Sequence, residues 1–151
     1  MTIKPATPAD TPLILEFIKA IASYEKLLHE VEATEEVLHQ SLFGENANAK
    51  VIIAYEEEKP VGFALYFYNF STFKGRKGLY LEDLFVYPQH RGKGYGKALL
   101  LHLAQQAQEE NCGRMEWIVL DWTPSAIEFY HSVGAKAMDE WTVFRLTMPN
   151  K

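Results

Sequence analysis

Residues 91–97 read Arg-Gly-Lys-Gly-Tyr-Gly-Lys, immediately ahead of the helix-like run ALLLHLAQQAQ. A helix N-terminus leaves backbone N–H groups without partners and carries partial positive charge. Glycines let such a backbone approach a ligand closely, and Arg91, Lys93 and Lys97 add full charge. The segment has the chemistry of an anion site, suited to a phosphate or diphosphate. Two common phosphate loops are excluded by spacing. No G-x-x-x-x-G-K-[ST] can be drawn, and glycines at 92, 94 and 96 do not make G-x-G-x-x-G.

Two other positions hold chemistry. Glu82 and Asp83 interrupt the apolar run LYLEDLFVY, and a carboxylate buried without partners is costly. Neighbours in a regular strand face opposite sides, so the pair is not expected to act as one dyad. One carboxylate is expected to face a substrate cavity, the other a cation or backbone amides. Tyr130 follows Ile127 by three and Ala126 by four, which places it on their helix face. By pattern alone it is either a core tyrosine or a site phenol.

The elements that would position these groups follow from periodicity. A short strand over 2–6 precedes helix-start signals at Thr7-Pro8 and Asp10-Thr11-Pro12. Ile14, Phe17, Ile18 and Ile21 predict a helix to about residue 27, and a shorter one runs from residue 34 to near Gly44. VIIAYEE, VGFALYFYNF and GLYLEDLFVY are β-branched and aromatic, with Glu58-Lys59-Pro60 as the turn between the first two. A helix over 95–110, a strand over 114–120, a helix capped by Thr123-Pro124 and a last strand, WTVFRLTM, complete the order β-α-α-β-β-β-α-β-α-β. This is a mixed α/β sheet with one late strand–helix–strand crossover.

At 151 residues with 48% hydrophobic and 23% charged composition, residues 1–151 are expected to form a single soluble domain. The formal charge of −5 argues against broad nucleic-acid binding. The start of the chain lacks a signal-peptide pattern and no run is long enough for a membrane span, so a cytoplasmic setting and no membrane partner are expected. Cys112 is the single cysteine, and the histidines show no metal-ligand spacing, so neither an internal disulfide nor a metal is expected. His90 is expected at the surface.

Residues 91–96 fit the [QR]-x-x-G-x-[GA] loop of the GNAT superfamily of N-acetyltransferases. Ser125-Ala126-Ile127-Glu128-Phe129-Tyr130, followed by Val133-Gly134-Ala135, is similar to the family's A-x-x-[FY]-Y-x-x-x-G-[FA] segment. Within the family, Ala22-Ser23-Tyr24-Glu25-Lys26, Gly62-Phe63-Ala64-Leu65-Tyr66, Leu81-Glu82-Asp83 and Leu120-Asp121-Trp122 resemble the spermidine/spermine (diamine) and thialysine N-acetyltransferase subgroup. The resemblance implies a GNAT acyl-CoA N-acyltransferase fold, a mixed central β-sheet flanked by helices. It also implies direct acetyl transfer from acetyl-CoA (coenzyme A) to a primary amine of a small molecule, such as a polyamine, diamine, thialysine or lysine-like acceptor, in a ternary complex.

The same resemblance implies roles residue by residue. Arg91, Gly92, Lys93, Gly94, Tyr95, Gly96 and Lys97 would hold the diphosphate. Leu84, Phe85 and Val86 would pair with the pantetheine, the Phe85 and Val86 amides polarising the thioester carbonyl. Thr123, Ser125, Ala126 and Tyr130 would complete the coenzyme site. Thr123 stands where relatives often carry asparagine, which leaves its contact open. Tyr130 would be the general acid and Glu82 would accept the amine's proton through water. Tyr24, Glu25 and Asp83 would join Glu82 in contacting a small cationic amine, and a homodimer is expected. A protein lysine or N-terminal acetyltransferase, and a non-catalytic acyl-CoA-binding sensor, are the alternatives.

Overall fold

The computed structural model describes residues 1–119 and 124–149. Thr123 and the Leu120-Asp121-Trp122 motif therefore lie outside the described residues. The chain divides into two compact units, Met1–Ile118 and Val119–Lys151.

The first unit contains β1 (Thr2–Pro5), α1 (Thr11–Tyr24), α2 (Glu35–Phe43), β2 (Lys50–Glu56), β3 (Lys59–Ser71), β4 (Arg76–Val86), α3 (Tyr95–Glu109) and β5 (Met115–Trp117). The sheet order is β1-β2-β3-β4-β5. The first three pairings are antiparallel, while β4 and β5, joined through α3, run parallel. Strand alternation sorts the apolar residues onto two faces. Val51, Ile53, Phe63 and Phe85 pack with Ile14, Phe17, Leu38 and Leu42 of α1 and α2. Phe17 stacks on Phe63 with ring centroids 4.8 Å apart, and on Tyr87 at 5.1 Å. On the other face α3 buries Leu99, Leu100, Leu103 and Ala107, and its Gln106 amide donates to the hydroxyls of Tyr66 and Tyr68 at 3.1 and 3.2 Å.

Two local features of this unit differ from expectation. Helix α1 stops at Tyr24 rather than near 27, because Lys26 takes a left-handed φ of +62°. The amides of Lys26 and Leu27 then turn back to the carbonyls of Ser23 and Ala22, a closure that satisfies the last carbonyls of the helix. The β2–β3 turn falls at Glu57 and Glu58, with φ of +49° and +69°, and not at Glu58-Lys59-Pro60. Both central residues of such a tight turn need positive φ, which proline cannot adopt. Pro60 sits instead within β3, beside the irregularity at Ala54 and Tyr55.

In the second unit α4 spans Pro124–Ser132. It ends through Gly134 at φ +93°, with the amides of Gly134 and Ala135 donating to the carbonyls of His131 and Tyr130. The expected last strand is not formed: residues 141–149 carry no strand. An alternating apolar pattern gives an extended segment a face, but only a ladder partner makes it a strand.

Where β3 meets the end of β4, the backbones are close. Gly62 opposes Val86, and a Cβ on Gly62 would lie 2.7 Å from the Phe85 carbonyl oxygen. Gly62→Ala should therefore lower stability by about 1–3 kcal/mol. Urea unfolding measures this, and an unchanged midpoint would show that the two strands have room to spare.

Candidate active site

The pairing of β3 with β4 slips by one residue in the middle. Leu65 opposes Asp83 and Tyr66 opposes Leu81, so Glu82 is left without a partner. An extra residue of this kind breaks the alternation of side chains and bends the strand. The expectation that Glu82 and Asp83 face opposite sides is thereby corrected. Both line one cavity of about 350 Å³.

The opposite wall is the end of α1 and the segment that follows. Ile18, Ile21, Ala22 and Leu27 supply apolar surface, and Glu25, Glu30 and Glu32 add carboxylates. Glu25 is the residue that caps α1, so the turn at Lys26 that ends the helix also fixes this acid at the cavity. Burial raises the Glu25 carboxyl. Asp83 is pushed up to about 6, first by burial and then by the charges of Glu82 and Glu25. Like charges forced together in a partly dry site favour the protonated form of one of them. An entering cation relieves that repulsion.

Beyond the cavity, β4 presents a free edge. Strand β5 meets β4 only at Leu79, Tyr80 and Leu81, so from Glu82 onward the outer edge has no strand beside it in the first unit. The Tyr87 amide donates to the Val61 carbonyl at 2.9 Å. Antiparallel alternation then makes Phe63 and Phe85 a bonded pair, and turns the N–H and C=O groups of Leu84 and Val86 outward. The expected donation from the Phe85 amide is corrected by this register: Leu84 and Val86 face the free edge, and Phe85 belongs to the β3 ladder.

At the end of that edge lies the glycine loop. Gly92 and Gly94 have φ of +82° and +88°, conformations that only glycine takes without strain. Gly94 caps α3 without a side chain, and the first intrahelical bond runs from the Ala98 amide to the Gly94 carbonyl. The amides of Tyr95, Gly96 and Lys97 therefore precede the helical ladder. A Cβ at Gly92 or Gly94 would meet nothing within 4 Å, and one at Gly96 would meet only Val86 Cγ2 at 3.9 Å. Open space over unladdered amides fits a diphosphate.

Two of the loop's cations meet groups of the protein itself. Arg91 Nε donates to the Val86 carbonyl at 2.8 Å, and its guanidinium lies over the rings of Tyr24 and Phe85 at 4.7 and 5.2 Å. Lys93 Nζ is 3.4 Å from Glu56 Oε1. Tyr24 thus supports Arg91, while its neighbour Glu25 lines the cavity.

Comparison with known proteins decides the family. The model of the acetyltransferase (GNAT) family matches residues 16–135. The chain belongs to the GNAT acetyltransferase family. Thialysine N-epsilon-acetyltransferase of Bos taurus is 36% identical, over 95% of this chain and 90% of that protein. L-ornithine N5-acetyltransferase NATA1 of Arabidopsis thaliana is 32% identical, over 96% of this chain and 83% of its own length. Among solved structures, an integron cassette protein from the mobile metagenome of V. cholerae superposes with a TM-score of 0.80 at 34% identity, over 97% of this chain and 92% of that one.

This GNAT N-acetyltransferase thus gathers Glu25, Glu82 and Asp83 around a cavity and sets Leu84, Val86 and residues 92–97 along one edge and its end. GNAT acetyltransferases generally use acetyl-CoA, which the glycine cradle fits. Ser125, Ala126 and Tyr130 lie in the second unit, on α4, and their expected roles rest on the sequence. Sequence reasoning missed Glu30 and Glu32, which lie at the end of a short 3-10 turn and just after it, too short a stretch to show a repeating pattern. It also missed Glu56, and it placed His90 at the surface although that side chain is buried. No helix among the described residues is long and apolar enough to cross a membrane.

The surroundings of Asp83 make the stability of the fold depend on pH. Its folded-state pKa lies above the ordinary carboxylate value, so the folded form holds the proton more tightly. That contribution is complete below about pH 4 and is lost as pH rises through 6. Asp83→Asn, which cannot ionise, should be more stable than the parent by roughly 1–2 kcal/mol at pH 7–8 and gain nothing near pH 4. Thermal unfolding across pH reads this directly, and a gain that does not vary with pH would contradict the assignment.

Proposed function

We propose that this acetyltransferase moves acetyl from acetyl-CoA to a primary amine of a small, wholly cationic acceptor, a diamine or polyamine, directly within a ternary complex. The observation that carries this reading is the cavity. Glu25, Glu30, Glu32, Glu82 and Asp83 line it, and no Lys, Arg or His is among its described lining residues. An acceptor bearing only ammonium groups meets no like charge among these residues. The α-carboxylate of an amino acid such as thialysine or ornithine would meet like charge.

Bound acetyl-CoA supplies the acetyl group as a thioester. The amides of Tyr95, Gly96 and Lys97 would hold its diphosphate, and the outward groups of Leu84 would pair with the pantetheine. The Val86 N–H, at the free edge, is available to stabilise charge developing on the carbonyl oxygen. An acceptor amine with a pKa of about 10.4 arrives as an ammonium ion and must lose a proton before it can attack. Glu82 would take that proton through water. Asp83, held near 6 before the cation enters, would bind the ammonium once ionised. The Tyr130 phenol would protonate the departing thiolate, with Thr123, Ser125 and Ala126 beside the coenzyme arm. No acetyl-cysteine is needed: Cys112 follows the far end of α3, which is ~22 Å long.

We extend the reading to a homodimer in a reducing cytoplasm. The lone cysteine supports the compartment, and the exposed Phe70 and Phe73 support the dimer. A monomer mass in solution scattering would remove the dimer.

A thiol-release assay tests the acceptor class. Spermidine and putrescine should exceed thialysine and ornithine in kcat/KM by about tenfold or more, a preference of ~1.4 kcal/mol. The reverse order would overturn the charge argument. Two variants separate the chemical roles. Tyr130→Phe should lower kcat by about 10²-fold with coenzyme binding retained; full turnover would remove the general acid. Glu82→Gln should depress the rate most at low pH, and an unaltered pH–rate profile would remove its part in deprotonation.

A further inference from the structure

We propose that Glu56 is the positioning residue of the donor loop: one carboxylate at the end of β2 tethers His90, Lys93 and Tyr95, and so sets the direction of the amides that hold the diphosphate. The inference rests on the donor assignment above and adds a residue from outside the loop.

Glu56 receives the Tyr95 hydroxyl in a short hydrogen bond at Oε1. Lys93 Nζ lies 3.4 Å from the same oxygen. His90 Nδ1, buried and without a hydrogen bond, lies 3.4 Å from the other oxygen. Tyr95 is itself buried and is the first residue of α3. Three side chains from one short segment thus converge on a single acid.

The need for such a tether follows from the loop's composition. Gly92 and Gly94 flank Lys93, and glycine has the most backbone freedom to lose on ordering. An untethered loop would spread its amides over many directions. Lys93 and Tyr95 lie on either side of Gly94, so fixing both side chains fixes the turn between them. Glu56 is a firm point of attachment, because it pairs with Lys59 across the tight turn at Glu57 and Glu58. The Tyr95 hydroxyl, then Lys93 and His90, hold the Glu56 carboxyl below its ordinary value, and Glu56 pushes the phenol up to about 12. Across the neutral range the proton stays on the phenol and the charge on the carboxylate.

Charge and position predict opposite signs, which makes the idea testable. A carboxylate acting by charge alone would repel a diphosphate, and its removal would tighten binding. A carboxylate acting as an anchor strengthens binding, and its removal weakens it. Hydrogen exchange of residues 91–98 in the coenzyme-free protein and calorimetry with coenzyme A read the two effects separately. Glu56→Ala should speed exchange at these amides and weaken coenzyme A by about tenfold, raising KM for acetyl-CoA with kcat nearly unchanged. Glu56→Gln keeps an acceptor for the Tyr95 hydroxyl and should fall between Glu56→Ala and the parent, which separates the anchor from a general folding defect. Tyr95→Phe should add little in the Glu56→Ala background. Unchanged exchange in Glu56→Ala, or tighter coenzyme A binding, overturns the proposal. A parent protein that binds no coenzyme A, while Glu56→Ala still loosens the loop, would support the anchor and remove the donor assignment instead.

Discussion

The geometry of this acetyltransferase depends on a one-residue slip between β3 and β4. Without the unpaired Glu82, strict alternation would send Glu82 and Asp83 to opposite faces of the sheet. With it, both reach one cavity, and the bonding parity of the strand beyond is reset. The groups of Leu84 and Val86 are turned to the open edge as a consequence. The same slip therefore brings the two carboxylates to one cavity and sets which backbone groups of β4 face outward. Gly62, opposite Val86, allows the backbones to approach closely where this happens.

The cavity is costly in the absence of a cation. Asp83 and Glu25 are partly buried there, and burial, then the charges of Glu82 and Glu25, raises Asp83 toward neutrality. On the proposed reading that repulsion would favour a multiply charged ligand. The end of α1 and the segment after it add apolar surface to the same cavity, which on that reading would meet the ligand's methylene groups. The turn at Lys26 connects the two, because it both ends α1 and fixes Glu25.

On the donor side the protein uses its own cations and acids to shape the loop. Arg91 reaches back to the Val86 carbonyl and lies over Tyr24 and Phe85, joining the end of α1 to the end of β4. Lys93 and Tyr95 reach the other way, to Glu56. What the loop leaves for the proposed diphosphate is chiefly backbone: the amides ahead of the α3 ladder and the open space above the glycines.

Local pattern by itself determined much of this. Period-two and period-3.6 runs marked the helices and strands of the first unit, and the glycine and cation spacing marked an anion site at a helix start. Those features are legible because each depends on residues near one another in the chain. The turn at Glu57 and Glu58, the end of α1 at Lys26 and the absence of a strand over 141–149 were not, because neither glutamate nor lysine advertises a positive φ and an extended segment becomes a strand only beside a partner. Only the tertiary structure decided that Glu82 and Asp83 share a cavity, that Glu30 and Glu32 join them, and that Glu56 meets the donor loop from 39 residues away in sequence at Tyr95. The physical reason is common to all three. Register between strands, and the meeting of side chains distant in sequence, are set by packing across the whole sheet, and no local run of residues encodes them.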